Sequence, residues 1–254
     1  MIIAKSSREI ELMKTAGRVV AKVFETLKPM LKSGVSTYEL NEAAEKVIFE
    51  NGCDAPCKGY YGYPCGICIS VNETLIHGIP SKKIILKEGD IVSLDVVASY
   101  RGYAADAART YPVGITTERA NKVMRVAREA FYNGVKLIKP GIRLGDVQEA
   151  IQKTVESNGY NVARDFTGHG IGKSMHEDPA IPNYGKAGTG PVLQKGYGLA
   201  IEPMVCEGTG LTRILGDGWT AKTKDGKLSA HYENTVIVTD DGYEIITLDE
   251  GENY

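Results

Sequence analysis

The stretch FETLKPMLKSGVSTYELNEAAEKVIFENG, residues 24–52, returns in outline 107 positions later as FYNGVKLIKPGIRLGDVQEAIQKTVESNG, residues 131–159. At that shift Phe24, Lys32, Gly34, Glu42, Ala43, Lys46, Asn51 and Gly52 meet identical residues, and Leu31, Val35, Leu40 and Ile48 meet Ile138, Ile142, Val147 and Val155. Each copy reads as a long amphipathic helix, a turn ending in Gly-Val or Gly-Ile, and a second helix. Ser36 and Glu39 have the spacing of a capping box at that second helix.

The same shift carries EGDIVSLD, ending at Asp95, onto KGYGLAIE, ending at Glu202, with Gly89 over Gly196. An acid therefore closes an apolar strand at the same place in both halves. A carboxylate at the end of a buried strand is costly unless it is paired or faces a cation. The pattern predicts one domain spanning 1–254, built from two related halves (roughly 7–112 and 117–248) that face each other about a pseudo-twofold axis with a site between them. It is not a linear array of repeats.

Further acids fall where that site is expected. IVSLDVVASYRGYAADAARTYPV, residues 91–113, reads as a β-hairpin turning near Tyr100 to Gly102, which puts Asp95 and Asp106 across from each other or nearly so. Two like charges so placed repel unless one is protonated or a cation lies between them. Glu233 precedes the β-branched run from Thr235 to Thr239, which argues for a strand. His169 supplies one nitrogen that completes a set with Asp95, Asp106, Glu202 and Glu233. Four carboxylates and an imidazole form a hard donor set suited to Mn²⁺, Fe²⁺ or Co²⁺, with Zn²⁺ possible, and their formal charge is balanced by two divalent ions. Two such ions about 3.5 to 4 Å apart can share a bridging hydroxide, a nucleophile near neutral pH.

FTGHGIGKSMHE, residues 166–177, holds His169 and His176 among Gly168, Gly170 and Gly172. Three glycines disfavour a helix there, and on an unbroken strand an odd separation sends the two rings to opposite faces, so the spacing alone does not make them a ligand pair.

Composition excludes several classes. The 254 residues carry 30 basic and 32 acidic side chains, a net charge of -2, interleaved without a basic stripe, which argues against nucleic acid and anionic membrane as partners. No apolar run reaches a membrane span and the first residues become charged too early for a secretory signal, so the expected location is cytoplasmic. Five cysteines include Cys53, Cys57, Cys65 and Cys68 within a short stretch, but the C-x3-C spacing of the first pair and the absence of a following histidine favour thiols lining a loop over a zinc site.

Taken in order, NETLIHGIP (72–80), SLDVV with Asp95, YAADAARTYPVG with Asp106, TGHGIGKSMHE with His169 and His176, AIEPM with Glu202 and AHYENTVIVT with Glu233 resemble the type I methionine aminopeptidases over nearly the whole chain. That resemblance implies the α+β pita-bread fold, two pseudo-twofold-related halves of antiparallel sheet covered by helices, shared with prolidases, aminopeptidase P and creatinase. It implies two divalent metal ions (Co, Mn, Fe or Zn) held by Asp95, Asp106, His169, Glu202 and Glu233, with Asp106 and Glu233 bridging. The implied reaction is removal of the N-terminal methionine of nascent peptides, favouring a small second residue, by attack of a metal-bridging hydroxide on the scissile carbonyl. Glu202 is then also the general base, His176 contacts the substrate carbonyl and the developing oxyanion, and His77 hydrogen-bonds the substrate backbone.

The methionine pocket implied by the resemblance is lined by Cys57, Tyr60, Tyr63, Cys68, Met175 and Trp219, an apt surface for a thioether. Thr167 and Met175 depart from the family's common pattern, in which a cysteine and an aromatic stand there. His231 matches no family role and reads as structural. His176 and Glu202 are only 26 residues apart, which leaves no room for the insertion of the type II class. The expected enzyme is a monomer in transient contact with the ribosome. Two other readings are an Xaa-Pro peptidase of the same fold, which usually carries an extra amino-terminal domain, and a metal-free binding protein, which would lack ligands that this chain retains.

Overall fold

The computed structural model describes residues 1–248. Each half contributes a helical hairpin. The first pairs α1 (Ser7–Leu27) with α2 (Thr37–Glu50), and the second pairs α3 (Glu118–Val135) with α4 (Leu144–Ser157). The capping box at α2 forms as its sequence predicts: Ser36 Oγ accepts from Glu39 N at 3.2 Å, and Ser36 N donates to Glu39 Oε2 at 2.8 Å. A second box, Ser6 with Glu9, starts α1, and Thr117 caps α3. Gly34 and Gly141, one repeat apart, turn the two hairpins with φ of 95° and 94°, a region that β-carbons disfavour.

In chain order the strands are β1 (Cys68–Val71), β2 (Thr74–Ile76), β3 (Ile91–Tyr100), β4 (Tyr103–Pro112), β5 (Asn161–Val162), β6 (Thr167–Gly170), β7 (Glu177–Pro182), β8 (Gly198–Ile201), β9 (Met204–Cys206), β10 (Thr212–Ile214), β11 (Ala221–Thr223), β12 (Ser229–His231), β13 (Glu233–Val238) and β14 (Tyr243–Ile245). The main sheet is antiparallel and runs β1-β3-β4-β13-β8-β6-β7, with β14 on β13. Outward from the β4·β13 contact, β3 and β8 occupy matching places, and beyond them β1 and β6. The repeat seen in the sequence is thus written into the strand order. Two small sheets, β10-β11-β2 and β12-β9-β5, flank it.

The seam between the halves is short and closely tied. Glu233 pairs with Ala108 and Asn234 with Ala107. Asp106 N donates to Thr235 Oγ1 at 2.8 Å, and that hydroxyl donates back to Asp106 O at 2.9 Å. The buried Arg109 donates to Asn234 Oδ1 at 2.7 Å and to Glu233 O, and its guanidinium lies 4.5 Å from the centre of the Tyr232 ring. A cation inside the seam thereby fixes the start of β13, where Glu233 stands.

Two large apolar clusters fill most of the molecule, with two small ones beside them. Phe24, Leu27, Leu40, Ile48 and Leu94 belong to the first, and Phe131, Val147, Ile151, Leu199 and Val236 to the second, so each hairpin covers the strands of its own half. Removing such side chains from water supplies the main drive for the helices to dock. No helix of the described residues is long and apolar enough to cross a membrane.

Candidate active site

The β3–β4 hairpin turns on Arg101 and Gly102, whose φ of 49° and 78° fit a two-residue turn of the primed type. Its register sets Asp95 opposite Ala108 and Asp106 opposite Val97, so the two aspartates are diagonal neighbours on one face. From the other half Glu202 leaves the end of β8 and Glu233 begins β13. His169 sits on β6 opposite Ala200. All five of these residues line one cavity of about 550 Å³.

Donor atoms converge there. One ligand atom each from Asp106, His169 and Glu233 lie within 4.8 Å of one another, as do atoms from Glu202, His231 and Glu233. His169 Nε2 is 3.5 Å from Glu202 Oε1 and 3.9 Å from Asp106 Oδ2. Its Nδ1 is 3.0 Å from Gly170 O, a carbonyl that accepts only from a protonated Nδ1 and so leaves Nε2 with a free lone pair facing the acids.

Electrostatics say what the cluster lacks. Burial pushes Asp95 up to about 6, and burial with the neighbouring acids holds Asp106 and Glu233 well above the usual carboxylate range. Burial raises Glu202 in the same direction. The buried Asp106 Oδ1 and Glu233 Oε1 have no hydrogen-bond partner. Desolvation lowers His169 to about 3, so the imidazole is neutral and cannot neutralise the acids itself. Four carboxylates that repel one another, two with orphaned oxygens, and one neutral imidazole aimed at them fit divalent cations of the hard or borderline kind.

The rest of the cavity suits an apolar side chain. Cys57, Tyr60, Tyr63, Cys68, Met175 and Trp219 all line it, and so do His77 and His176. Tyr63 and Trp219 meet edge to face at 5.1 Å between ring centres. His77 holds a left-handed φ of 56°, a costly backbone for a side-chain-bearing residue, and its ring is set between Phe166 and Trp219 at 5.8 and 6.1 Å. Burial lowers it to about 4. His176 Nδ1 is 3.2 Å from Tyr60 Oη. The thiols are all free, and neither donor group contains one. Cys57 and Cys68 face the cavity, whereas Cys53 and Cys65 do not.

Several contacts are not visible in the sequence. An unbroken strand would send His169 and His176 to opposite faces, but a register shift after His169 and the turn before β7 bring their rings to 4.4 Å, edge to face, in one cavity. The glycines beside His169 serve close approach, since a β-carbon at Gly168 would come within 2.5 Å of Ala200 O and one at Gly170 within 1.9 Å of Asp178 O. His231, which reads as a structural residue in the sequence, instead faces the acids, with Nε2 3.5 Å from Glu202 Oε2 and 3.7 Å from Glu233 Oε2. Ile76, Val97, Phe166 and Glu177, which lie within the quoted motifs but carry no expected role, also line the cavity, as do Asp178 and Ala180 outside them.

Residues 11–240 match the model of metallopeptidase family M24. The chain belongs to that family. It is 50% identical over 250 residues to a methionine aminopeptidase of Clostridium acetobutylicum, covering 98% of this chain and 100% of that one. The crystal structure of the methionine aminopeptidase of Thermotoga maritima superposes with a TM-score of 0.97 at 48% identity, covering 98% of this chain and 100% of that one. The prolidase of Pyrococcus furiosus is more distant, with a TM-score of 0.79 at 25% identity, covering 97% of this chain and 65% of that one. The M24 chain therefore has the pita-bread fold, and membership in a metallopeptidase family accords with the cation-deficient cluster at the floor of its cavity.

Proposed function

We infer that the chain is a metal-dependent aminopeptidase that removes the N-terminal methionine from polypeptides. The observation that carries this reading is one cavity with acids and an imidazole at its floor and thiols, aromatic rings and a thioether along its wall. Asp95, Asp106, His169, Glu202 and Glu233 would hold two divalent ions, drawn from Mn, Fe, Co or Zn. When bound, the ions supply Lewis acidity at the scissile carbonyl and a nucleophile near neutral pH.

The remaining work falls to the protein's own groups. The methionine side chain enters between Cys57, Cys68, Tyr63 and Trp219, and the free α-amino group lies against Asp95 and Asp106. Only a chain terminus brings such an amine, which makes the enzyme an exopeptidase. His77 is neutral near pH 7 and hydrogen-bonds the substrate backbone. His176 donates to the carbonyl oxygen and to the negative charge that develops on it. Glu202 takes the proton released by the attacking water and delivers it to the leaving amine. The family match across residues 11–240 supports treating 1–254 as one catalytic domain.

We further propose a cytoplasmic monomer that meets nascent chains in transient contact with the ribosome; no helix of the described residues is long and apolar enough to cross a membrane. The peptidase reading is tested with Met-Ala-Ser, Met-Leu-Ser and Xaa-Pro peptides after metal stripping and re-addition of single ions. Hydrolysis of Met-Ala-Ser that is lost on chelation and regained with metal is expected. Activity indifferent to chelation, or confined to Xaa-Pro, overturns it.

A further inference from the structure

Glu202 stands between two imidazoles. Its Oε1 lies 3.5 Å from His169 Nε2, and its Oε2 lies 3.5 Å from His231 Nε2. His169 opens onto the cavity; His231 is not among the residues that line it and is only 2% exposed. His231 therefore approaches the carboxylate from behind, where neither substrate nor solvent reaches.

The backbone of His231 is clamped. Its N–H donates to Thr110 Oγ1 at 2.9 Å, and its carbonyl accepts from the same hydroxyl at 2.9 Å, while β12 pairs with β9 through His231 and Met204. The ring is thus delivered by a rigid element. Both ring nitrogens are nevertheless buried without a hydrogen-bond partner. A buried imidazole left unpaired is costly, so a partner is expected in the working state. The acidic oxygens that face Nε2 are Glu202 Oε2 and, at 3.7 Å, Glu233 Oε2. The distances are slightly long for a hydrogen bond, and a small rotation of the Glu202 carboxylate closes the shorter one.

We propose that His231 is a positioning residue for the catalytic carboxylate: its Nε2–H holds Glu202 Oε2 in the orientation for proton transfer while Oε1 serves the metal. This rests on the reading of Glu202 as both ligand and base. It gives the two oxygens of one carboxylate separate partners and separate tasks. A structural histidine would need neither the alignment on Glu202 nor two orphaned nitrogens.

The test compares His231→Gln, which keeps an N–H donor, with His231→Met, which fills similar volume without one, each verified as folded by its melting transition. With Met-Ala-Ser and a saturating divalent ion, His231→Met is expected to lower kcat about 10- to 100-fold, the usual cost of losing a group that orients a metal-site residue, at unchanged KM. His231→Gln recovers most of that loss. Co²⁺ titrations followed by the visible spectrum are expected to give the parent's affinity and bands in both variants. Weakened Co²⁺ binding or altered bands in His231→Met would make His231 a ligand instead, and an unchanged kcat would make it a bystander. Equal loss in both variants removes the hydrogen-bond role. Parent-like turnover in Glu202→Ala would instead overturn the underlying assignment of the base, whatever the His231 variants do.

Discussion

The rings of His169 and His176 meet edge to face with 4.4 Å between their centres, yet their nitrogens face different partners. His169 turns Nε2 toward Glu202 and Asp106, whereas His176 reaches Tyr60 through Nδ1. Replacing His169 by Ala is expected to weaken metal binding, read as a higher Kd in a Co²⁺ or Mn²⁺ titration. Replacing His176 by Ala should leave that Kd unchanged and lower kcat by about 10²- to 10³-fold, the usual loss of one oxyanion donor. A variant at His176 that loses metal would show the division to be wrong.

Gly170 passes so close to β7 that a methyl group would collide with Asp178 O. Both partners are backbone, so neither can swing aside. Gly170→Ala should destabilise the fold by about 1–3 kcal/mol, as overpacking does, and shift His169 with its strand. Chemical denaturation measures the first and metal affinity the second. Parent-like values for both would mean that β6 and β7 part without cost.

Much of this architecture is legible in the residues alone. The helical hairpins announce themselves by period, and Ser36 with Glu39 by spacing. Asp95 and Glu202 are linked by a shift that also places Gly89 over Gly196, both left-handed at φ of 88° and 84°. What a linear pattern does not show is contact made by irregular backbone. The convergence of His169 and His176 depends on a register shift, and the place of His231 behind Glu202 depends on a small sheet that crosses from β12 to β9. Neither leaves a period to read. Pocket residues such as Phe166 and Ala180 carry no chemistry that would single them out.

The metal-free cluster should make stability depend on pH in a defined direction. Asp106, Glu202 and Glu233 are raised in the folded chain, so above the ordinary glutamate value of 4.5 the folded state holds protons that the unfolded state has lost, and stability falls as pH rises. His77, His169 and His231, lowered to about 4, 3 and 4, act with the opposite sign, but only below the ordinary histidine value of 6.5. Above the ordinary histidine value of 6.5 the histidines no longer contribute, and from about pH 7 to pH 9 the raised acids are the groups that metal loading changes most directly. The Tm gained on adding Mn²⁺ should therefore grow over that window, and calorimetry in buffers of different ionisation enthalpy should show proton release on binding. A gain that shrinks with rising pH would contradict the raised carboxylates.

The chain's own amino terminus offers a test of specificity. Met1 is followed by Ile2, a branched residue, and the expected enzyme accepts only a small residue after methionine. Ile2 also packs against the second apolar cluster, and the Met1 ammonium pairs with Asp178 at the edge of the cavity. Both features predict that the mature protein keeps Met1. Intact-mass measurement of protein isolated from its native host would show this directly. Substituting Ile2→Ala separates the causes: loss of Met1 from that variant would assign retention to the size of the second residue, since the Asp178 pairing is still available to it. Retention in Ile2→Ala would point to the folded terminus as the protecting feature, and a parent chain beginning at Ile2 would overturn the small-residue rule itself.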